Sequence, residues 1–256
     1  MPLSKSRIRF YRGLHHAKGR REAGRFLVEG PTLVREAVQE GWPLDEAVLT
    51  AGFAGTPEGR ELARLLDLAG VPHATCPAEE MARLAEAANP QGAAAVAQLP
   101  PDLPPPPADL LLVCEAASDP GNVGTLLRCA DWFGAGRVVL GPGSADPFSP
   151  KAVRASAGSV FRVGIEEIPD LVPLLRAESA AGRRLFAALM AGDRTPADLP
   201  SFGSRGLVVG HETRGVSPAV AAACEASVRI PSQGRAESLN LAVAAGILLY
   251  ALAGGK

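Results

Sequence analysis

The cysteine content of this 256-residue sequence suggests neither a metal centre nor a disulfide framework. Cys76, Cys114, Cys129 and Cys224 lie far apart with no C-x-x-C pair, and no His, Cys and Asp cluster has ligand spacing. Reduced, mostly buried thiols and no bound metal are therefore expected. A membrane span is missing too: the longest uncharged apolar stretch, 239–255, contains Asn240 and two small-residue breaks and reads as a core helix. No secretory leader is visible, because the N-terminus is basic and polar with no apolar run behind it, so a cytoplasmic protein is expected. There is no internal repeat, and charge of one sign is not in excess, the formal net charge being -1.

What is present is enough apolar sequence for a sizeable core, 47% hydrophobic against 21% charged residues. The charge is local. Between residues 5 and 25 stand Lys5, Arg7, Arg9, Arg12, Lys18, Arg20, Arg21 and Arg25 against Glu22 alone, with Phe10 and Tyr11 among them. Such a patch suits RNA phosphates and base stacking, and the alternative is a solvated tail.

Organisation follows from proline. The segment 98–108, Gln-Leu-Pro-Pro-Asp-Leu-Pro-Pro-Pro-Pro-Ala, can continue neither a helix nor a central strand, since proline fixes φ and lacks a backbone donor. It divides the chain into a first domain at 1–98, a semi-rigid linker at 99–108 and a second domain at 109–256. Before it, an amphipathic stretch 31–40, an apolar run 47–49, a helical stretch 58–68 and the run 71–75 alternate as in a small α/β layer. After it, the short apolar runs 110–114, 137–140, 160–165, 184–189, 206–209 and 227–230 are separated mostly by helical stretches, which predicts a parallel sheet buried on both faces. A last helix over 238–252 is apolar on both sides, so either the chain itself or a second subunit must cover it all round.

Three strand–loop–helix junctions could carry chemistry. In 119–134, Val123, Leu126, Leu127 and Ala130 make a buried helical stripe, which turns Arg128 away from the core and puts Asn122, after Pro-Gly, where a helix cap belongs. In 206–218 a buried strand empties into Gly210-His211-Glu212-Thr213-Arg214-Gly215, and ligands of open α/β sheets sit outside such strand ends. In 228–242 a strand, a loop and a helix start carry Ser238 and Asn240, and loops of this kind offer backbone groups that can read a flat purine. Each junction alone is equally compatible with caps, turn glycines and solvated side chains.

In order and spacing, the three junctions resemble the three motifs of the SpoU (TrmH) family of RNA 2'-O-ribose methyltransferases. The resemblance covers nearly all of the second domain. The first domain, with Phe26-Leu-Val-Glu-Gly-Pro and Asn89-Pro-Gln-Gly92, looks like that family's N-terminal substrate-binding domain, similar in fold to a ribosomal RNA-binding protein. The resemblance implies an α/β fold: a small α/β/α RNA-binding domain followed by a parallel sheet whose C-terminal segment is threaded as a trefoil knot. General topology rules alone make such a knot very improbable. It also implies S-adenosylmethionine as methyl donor, Asn122, Arg128, Glu212, Ser238 and Asn240 as catalytic residues, and Gly210, Ile230 and Leu239 where the backbone holds the donor. His211 stands where the family often has asparagine, and Ser232 where methionine is common.

The implied partners are RNA, ribosomal before transfer RNA, contacted by Arg7, Arg9, Arg12, Lys18, Arg20 and Arg21, and a second copy of the chain in a homodimer that covers the last helix. Two other readings remain open: a non-catalytic RNA-binding or ribosome-assembly protein, and a dinucleotide-binding enzyme. The latter lacks G-x-G-x-x-G after the first strand of the second domain, where the chain reads Glu115-Ala-Ala-Ser-Asp-Pro-Gly-Asn-Val-Gly.

Overall fold

The computed structural model describes residues 3–101 and 105–255, so residues 102–104 of the expected linker lie outside the described residues. The chain divides into two compact units, one of residues 1–102 with 146–161 and the other of residues 103–145 with 162–256.

The N-terminal stretch forms α1 (Lys5–Gly13), α2 (Ala17–Ala23), β1 (Arg25–Glu29), α3 (Pro31–Gln39), β2 (Leu44–Thr50), α4 (Ala51–Ala54), α5 (Pro57–Leu68), β3 (His73–Cys76), α6 (Ala78–Leu84) and β4 (Ala93–Gln98). Ser4, Thr50 and Thr56 start three of these helices by accepting the backbone N–H three residues on. The strands pair in the order β1-β4-β2-β3, antiparallel except for β2 with β3. The basic run is helical here, because Ile8, Tyr11 and Leu14 recur on one side of α1 and the following turn and are buried. Tyr11 is therefore core and cannot stack on a base, whereas Phe10 keeps 41% of its surface exposed.

Beyond the linker follow β5 (Leu110–Cys114), α7 (Pro120–Trp132), β6 (Arg137–Leu140), α8 (Pro150–Ser156), β7 (Gly164–Glu167), α9 (Leu171–Ala180), β8 (Arg184–Ala188), β9 (Arg205–Val209), α10 (Pro218–Ala221), β10 (Ala226–Val228) and α11 (Leu241–Leu252). The stretch 146–161, with α8, packs in the first unit. There the Phe26 ring meets Trp42 at 6.2 Å, Phe148 at 5.1 Å and Phe161 at 6.4 Å between centroids. The strand expected at 160–165 is split for this reason. Ser159–Phe161 is a single 3-10 turn in which Val160 is buried and Phe161 enters the aromatic cluster, and the strand starts only at Gly164.

Arg20 is part of the same packing. Its guanidinium donates to Asp146 Oδ2 from Nε at 3.0 Å and Nη2 at 2.5 Å, and from Nη1 to the Leu14 carbonyl at 2.8 Å. Only 4% of its side chain is exposed, against 28% for Asp146. Removing one partner of a buried pair strands the other charge, so Arg20→Ala is expected to cost about 3 kcal/mol of stability. Urea denaturation checks this, and a loss below about 0.5 kcal/mol would show the pair to be dispensable.

The second unit is built on six parallel strands in the order β10-β8-β9-β5-β6-β7. All of β5 is buried, as are four of the five residues of β9, which is what an apolar run sandwiched between helix layers requires. On α7 the buried residues are Val123, Gly124, Leu126, Leu127 and Ala130. On α11 they are Ala242, Ala245, Leu248, Leu249 and Leu252, while Val243, Ile247 and Tyr250 are exposed. The chain itself thus covers only one side of this helix. Helix α11 begins at Leu241 rather than 238 because the Asn240 side chain caps it, Oδ1 accepting from Ala242 N at 2.9 Å and Val243 N at 3.3 Å.

Candidate active site

The sheet order sets the site. Strands β5 and β9 are hydrogen-bonded neighbours, yet β5 leads outward to β6 and β7 while β9 is followed by β10 on the far side of β8. Loops leaving such a reversal diverge and open a crevice beyond the carboxyl ends of the strands. The chain leaves β5 through Ala116, at a left-handed φ of 58°, and enters α7, whose N-cap is Asp119. The Asp119 side chain accepts the Asn122 N–H at 3.0 Å. Asn122 is thus not the cap expected from Pro-Gly but a first-turn residue, and its amide is free to face across the crevice.

The chain leaves β9 through Gly210 into a tight turn in which His211 and Gly215 exchange backbone hydrogen bonds at 3.0 and 2.9 Å. A Cβ on Gly210 would lie 2.1 Å from the Gly215 carbonyl, so only glycine lets the turn close here. That turn holds Glu212 against the start of α7. Its Oε1 accepts from Asn122 Nδ2 at 3.0 Å and Asp119 N at 3.3 Å, and its Oε2 from Ser118 Oγ at 3.0 Å.

Asn240 completes the array, donating from Nδ2 to Asn122 Oδ1 at 3.0 Å. Both amide orientations follow from the donor inventory. A carboxylate only accepts, so Asn122 must present its NH2 to Glu212 and its oxygen to Asn240, and Asn240 must then turn its own oxygen to the N–H groups that start α11. One acid fixes two amides drawn from two other segments. Burial alone would raise the Glu212 carboxyl, but hydrogen bonds from Asn122, from backbone N–H groups and from Ser118 outweigh it and pull the pKa from 4.5 down to about 2.

Asn122, Glu212 and Asn240 are therefore brought into direct contact. Arg128 lies about 9 Å further along α7, on its exposed face, and makes no hydrogen bond or ion pair with any described residue. Ser238 is exposed in the loop before α11 and forms no hydrogen bond within the array. Ser118 and Asp119 were not anticipated. Their signal was Asp-Pro opening a helix, in which the acid caps and the proline takes the first helical position.

Parallel β10, β8 and β9 also deliver their following loops to one edge, which places Gly210 after β9 and Ile230 and Leu239 in the loop after β10. Residues 231–240 of that loop are all exposed, and Leu239 shows 46% of its surface. Among the predicted RNA contacts, Arg7 pairs with Glu46 at 2.7 Å, Lys18 lies 3.8 Å from Glu22 and Arg20 is buried, while Arg9, Arg12 and Arg21 are exposed.

Residues 109–250 match the SpoU rRNA Methylase family. The chain belongs to this family. Residues 5–95 match the MRM3-like substrate binding domain, so both parts of this SpoU methylase have counterparts. The 23S rRNA (guanosine(2553)-2'-O)-methyltransferase RlmP of Bacillus subtilis is 32% identical over 250 residues, covering 97% of this chain and 96% of that protein. The 23S rRNA (uridine(2479)-2'-O)-methyltransferase of Streptomyces viridochromogenes is 32% identical over 240 residues, 90% of this chain and 83% of its own length. Among solved structures, the SpoU methyltransferase AviRb from Streptomyces viridochromogenes in complex with AdoMet superposes with a TM-score of 0.86 at 29% identity, covering 98% of each chain. Membership makes the chain a methyltransferase and sets aside the dinucleotide-binding alternative.

Proposed function

We propose that this SpoU methylase transfers a methyl group from S-adenosylmethionine to the ribose 2'-oxygen of one nucleotide of large-subunit ribosomal RNA. The observation that carries the reading is the chain of hydrogen bonds Asn240–Asn122–Glu212, which ties the three motif segments together at the switch point of the sheet. The residues present fit the donor. Between Ile230 and Leu239 no main-chain group takes part in a backbone–backbone hydrogen bond among the described residues, which leaves N–H and C=O groups for a purine edge, and Leu239 offers an exposed apolar face. Gly210, Ile230 and Leu239 would hold it there.

When bound, the donor would supply an electrophilic methyl on a sulfonium, the C–S bond breaking as the O–C bond forms, with a thioether left behind and the hydroxyl proton passing to solvent water. The residues of the chain provide alignment. Guanidinium groups stay protonated in proteins, so Arg128 acts by donating to the ribose hydroxyl oxygen or an adjacent phosphate rather than by removing the proton. Glu212 and the two amides hold the start of α7 and the start of α11 in register, and Ser238 lies one residue from Leu239 and two from Asn240, where its hydroxyl can meet the nucleoside.

The finer architecture proposed is a C-terminal trefoil knot and a homodimer in a cytoplasmic protein. Support for the dimer is the exposed stripe of Val243, Ile247 and Tyr250 on α11, at 51, 38 and 48%. An uncovered apolar helix face of this kind is what a second copy buries. Ile247→Glu is expected to turn a dimer into a monomer in sedimentation equilibrium, and a wild-type monomer at micromolar concentration would refute the dimer. Among the described residues no helix is long and apolar enough to cross a membrane, and no group of three or more His, Cys, Asp or Glu could hold a metal.

Mapping ribose methylation in cells with and without the gene tests the target. Loss of one 2'-O-methyl mark in the large-subunit RNA is expected. Loss of a mark only in transfer RNA would move the target, and an unchanged map would overturn the reading.

A further inference from the structure

The first unit contains a feature that the run of N-terminal charge does not disclose. An open groove of about 510 Å³ lies between α1 and α6, lined by Lys5, Arg9, Arg12, His15, His16 and Arg83, with Ile8 and Gly13 completing the wall. Lys5, Arg9 and Arg12 stand at i, i+4 and i+7 of α1, one stripe spanning on the order of 10 Å. Arg83 reaches the same groove from the last turn of α6. The two walls are tied by His15 Nε2, within 2.8 Å of the Leu84 carbonyl.

The lining holds four full cations and no acid, in a protein whose formal net charge is -1. None of the four makes a hydrogen bond or ion pair through its side chain with any described residue. Of the two acids on α6, Glu80 accepts the Leu3 N–H at 2.8 Å, and neither Glu79 nor Glu80 lines the groove. By contrast, most other cations of the basic run have partners: Arg7 on Glu46, Arg20 on Asp146, Arg25 on Asp45, and Lys18 at 3.8 Å from Glu22. Uncompensated cations repel one another and destabilise the free protein unless an anion joins them, and four along a groove match a polyanion better than a single small ion.

We infer that this groove seats the sugar–phosphate backbone of the RNA substrate, with Lys5, Arg9, Arg12 and Arg83 each meeting a phosphate and no base being read. The inference rests on the reading of the protein as an RNA methylase and replaces the diffuse basic run with a defined set: Lys5 and Arg83 join, Arg7 and Arg20 leave, and Lys18 and Arg21 lie outside the groove. It therefore separates residues of equal charge. The contact is one of positioning, so it raises affinity for RNA without touching the transfer step.

The test uses the full-length chain and ribosomal RNA purified from cells lacking the gene, with binding followed across a salt titration. Each of Arg9→Ala, Arg12→Ala and Arg83→Ala is expected to weaken binding roughly four- to fivefold at 0.15 M salt and to reduce the slope of log K against log salt by about 0.7 to 0.9, the value of one phosphate contact. Arg83→Lys is expected to restore most of that slope. Lys18→Ala and Arg21→Ala are expected to change affinity less than twofold. In turnover, the groove variants raise KM for RNA and leave kcat and S-adenosylmethionine affinity unchanged.

All five alanine sites are exposed, so folding is not at stake, and circular dichroism verifies it. If Arg83→Ala binds as wild type does, or if Lys18→Ala and Arg21→Ala weaken binding as much as the groove variants, the groove assignment is overturned. A wild-type chain that shows the full set of groove effects yet never methylates RNA would overturn the catalytic reading instead and leave the groove in place.

Discussion

Replacing Arg128 by alanine is expected to lower the rate of methyl transfer by about a hundredfold to ten-thousandfold, the range seen when a group that aligns or engages a reacting proton is removed. The side chain makes no hydrogen bond or ion pair with a described residue and sits on the exposed face of α7, so its loss should leave stability within about 0.5 kcal/mol of wild type. The defect should appear in kcat with saturating RNA, and S-adenosylmethionine affinity should stay within about twofold, the pattern of an interaction made mainly in the transition state. Arg128→Lys keeps the charge and loses the planar fork, so partial activity is expected. Single-turnover transfer measures all of this. An alanine variant within tenfold of wild type would remove Arg128 from the mechanism.

Glu212→Gln is expected to disturb fold and activity together. The carboxylate receives donors on both oxygens, from Asn122 and Asp119 on one and Ser118 on the other. Glutamine must put an NH2 where one of these acceptors stood. That leaves facing donors unpaired at a cost of about 1–3 kcal/mol, and releases the Asn122 amide whose orientation holds Asn240. A drop in thermal midpoint of about 2–4 °C per kcal/mol follows.

The pH dependence provides a second check. The folded-state pKa of Glu212 is depressed to about 2 from an ordinary 4.5, so its contribution is complete above about pH 4.5 and is lost as pH falls toward 2. The variant lacks that contribution at every pH, so its stability should change less than that of wild type between pH 5 and pH 3. Urea midpoints at the two pH values measure the difference. Parallel losses in the two proteins would mean that the carboxylate does not carry this part of the acid sensitivity.

Much of the catalytic unit was legible because its signals are local. The runs that became β5 and β9 are apolar throughout, and the stripe Val123, Leu126, Leu127 and Ala130 has helical period, so Glu212 could be placed at a strand edge and Arg128 on an outer face. What was left unread or misread was decided by tertiary packing. Strand β4 reads Ala-Ala-Ala-Val-Ala-Gln, a composition of high helix propensity, and is a strand because it lies between β1 and β2 with its alanines buried. The run 160–165 looked like one strand, but Phe161 is drawn into the aromatic cluster around Phe26 and breaks it.

In the basic segment a count of charges could not separate Arg20, buried on an aspartate 126 residues away, from Arg9 and Arg12, which face an open groove. Nor could it bring in Arg83 from another helix. At the site, Asp119 took the cap that Pro-Gly seemed to offer Asn122, and that exchange frees the asparagine to bridge Glu212 and Asn240. Threading of the chain has no local signature at all, so the expectation of a trefoil knot rests on resemblance alone.

The most direct measurement of the central claim is nucleoside analysis of large-subunit ribosomal RNA, purified from cells lacking the gene and incubated with the protein and S-adenosylmethionine labelled in its methyl group. The account predicts that the label is recovered in a single 2'-O-methylated nucleoside and that Arg128→Ala transfers almost none. Label on a base, or none in RNA that the wild-type protein binds, would contradict it.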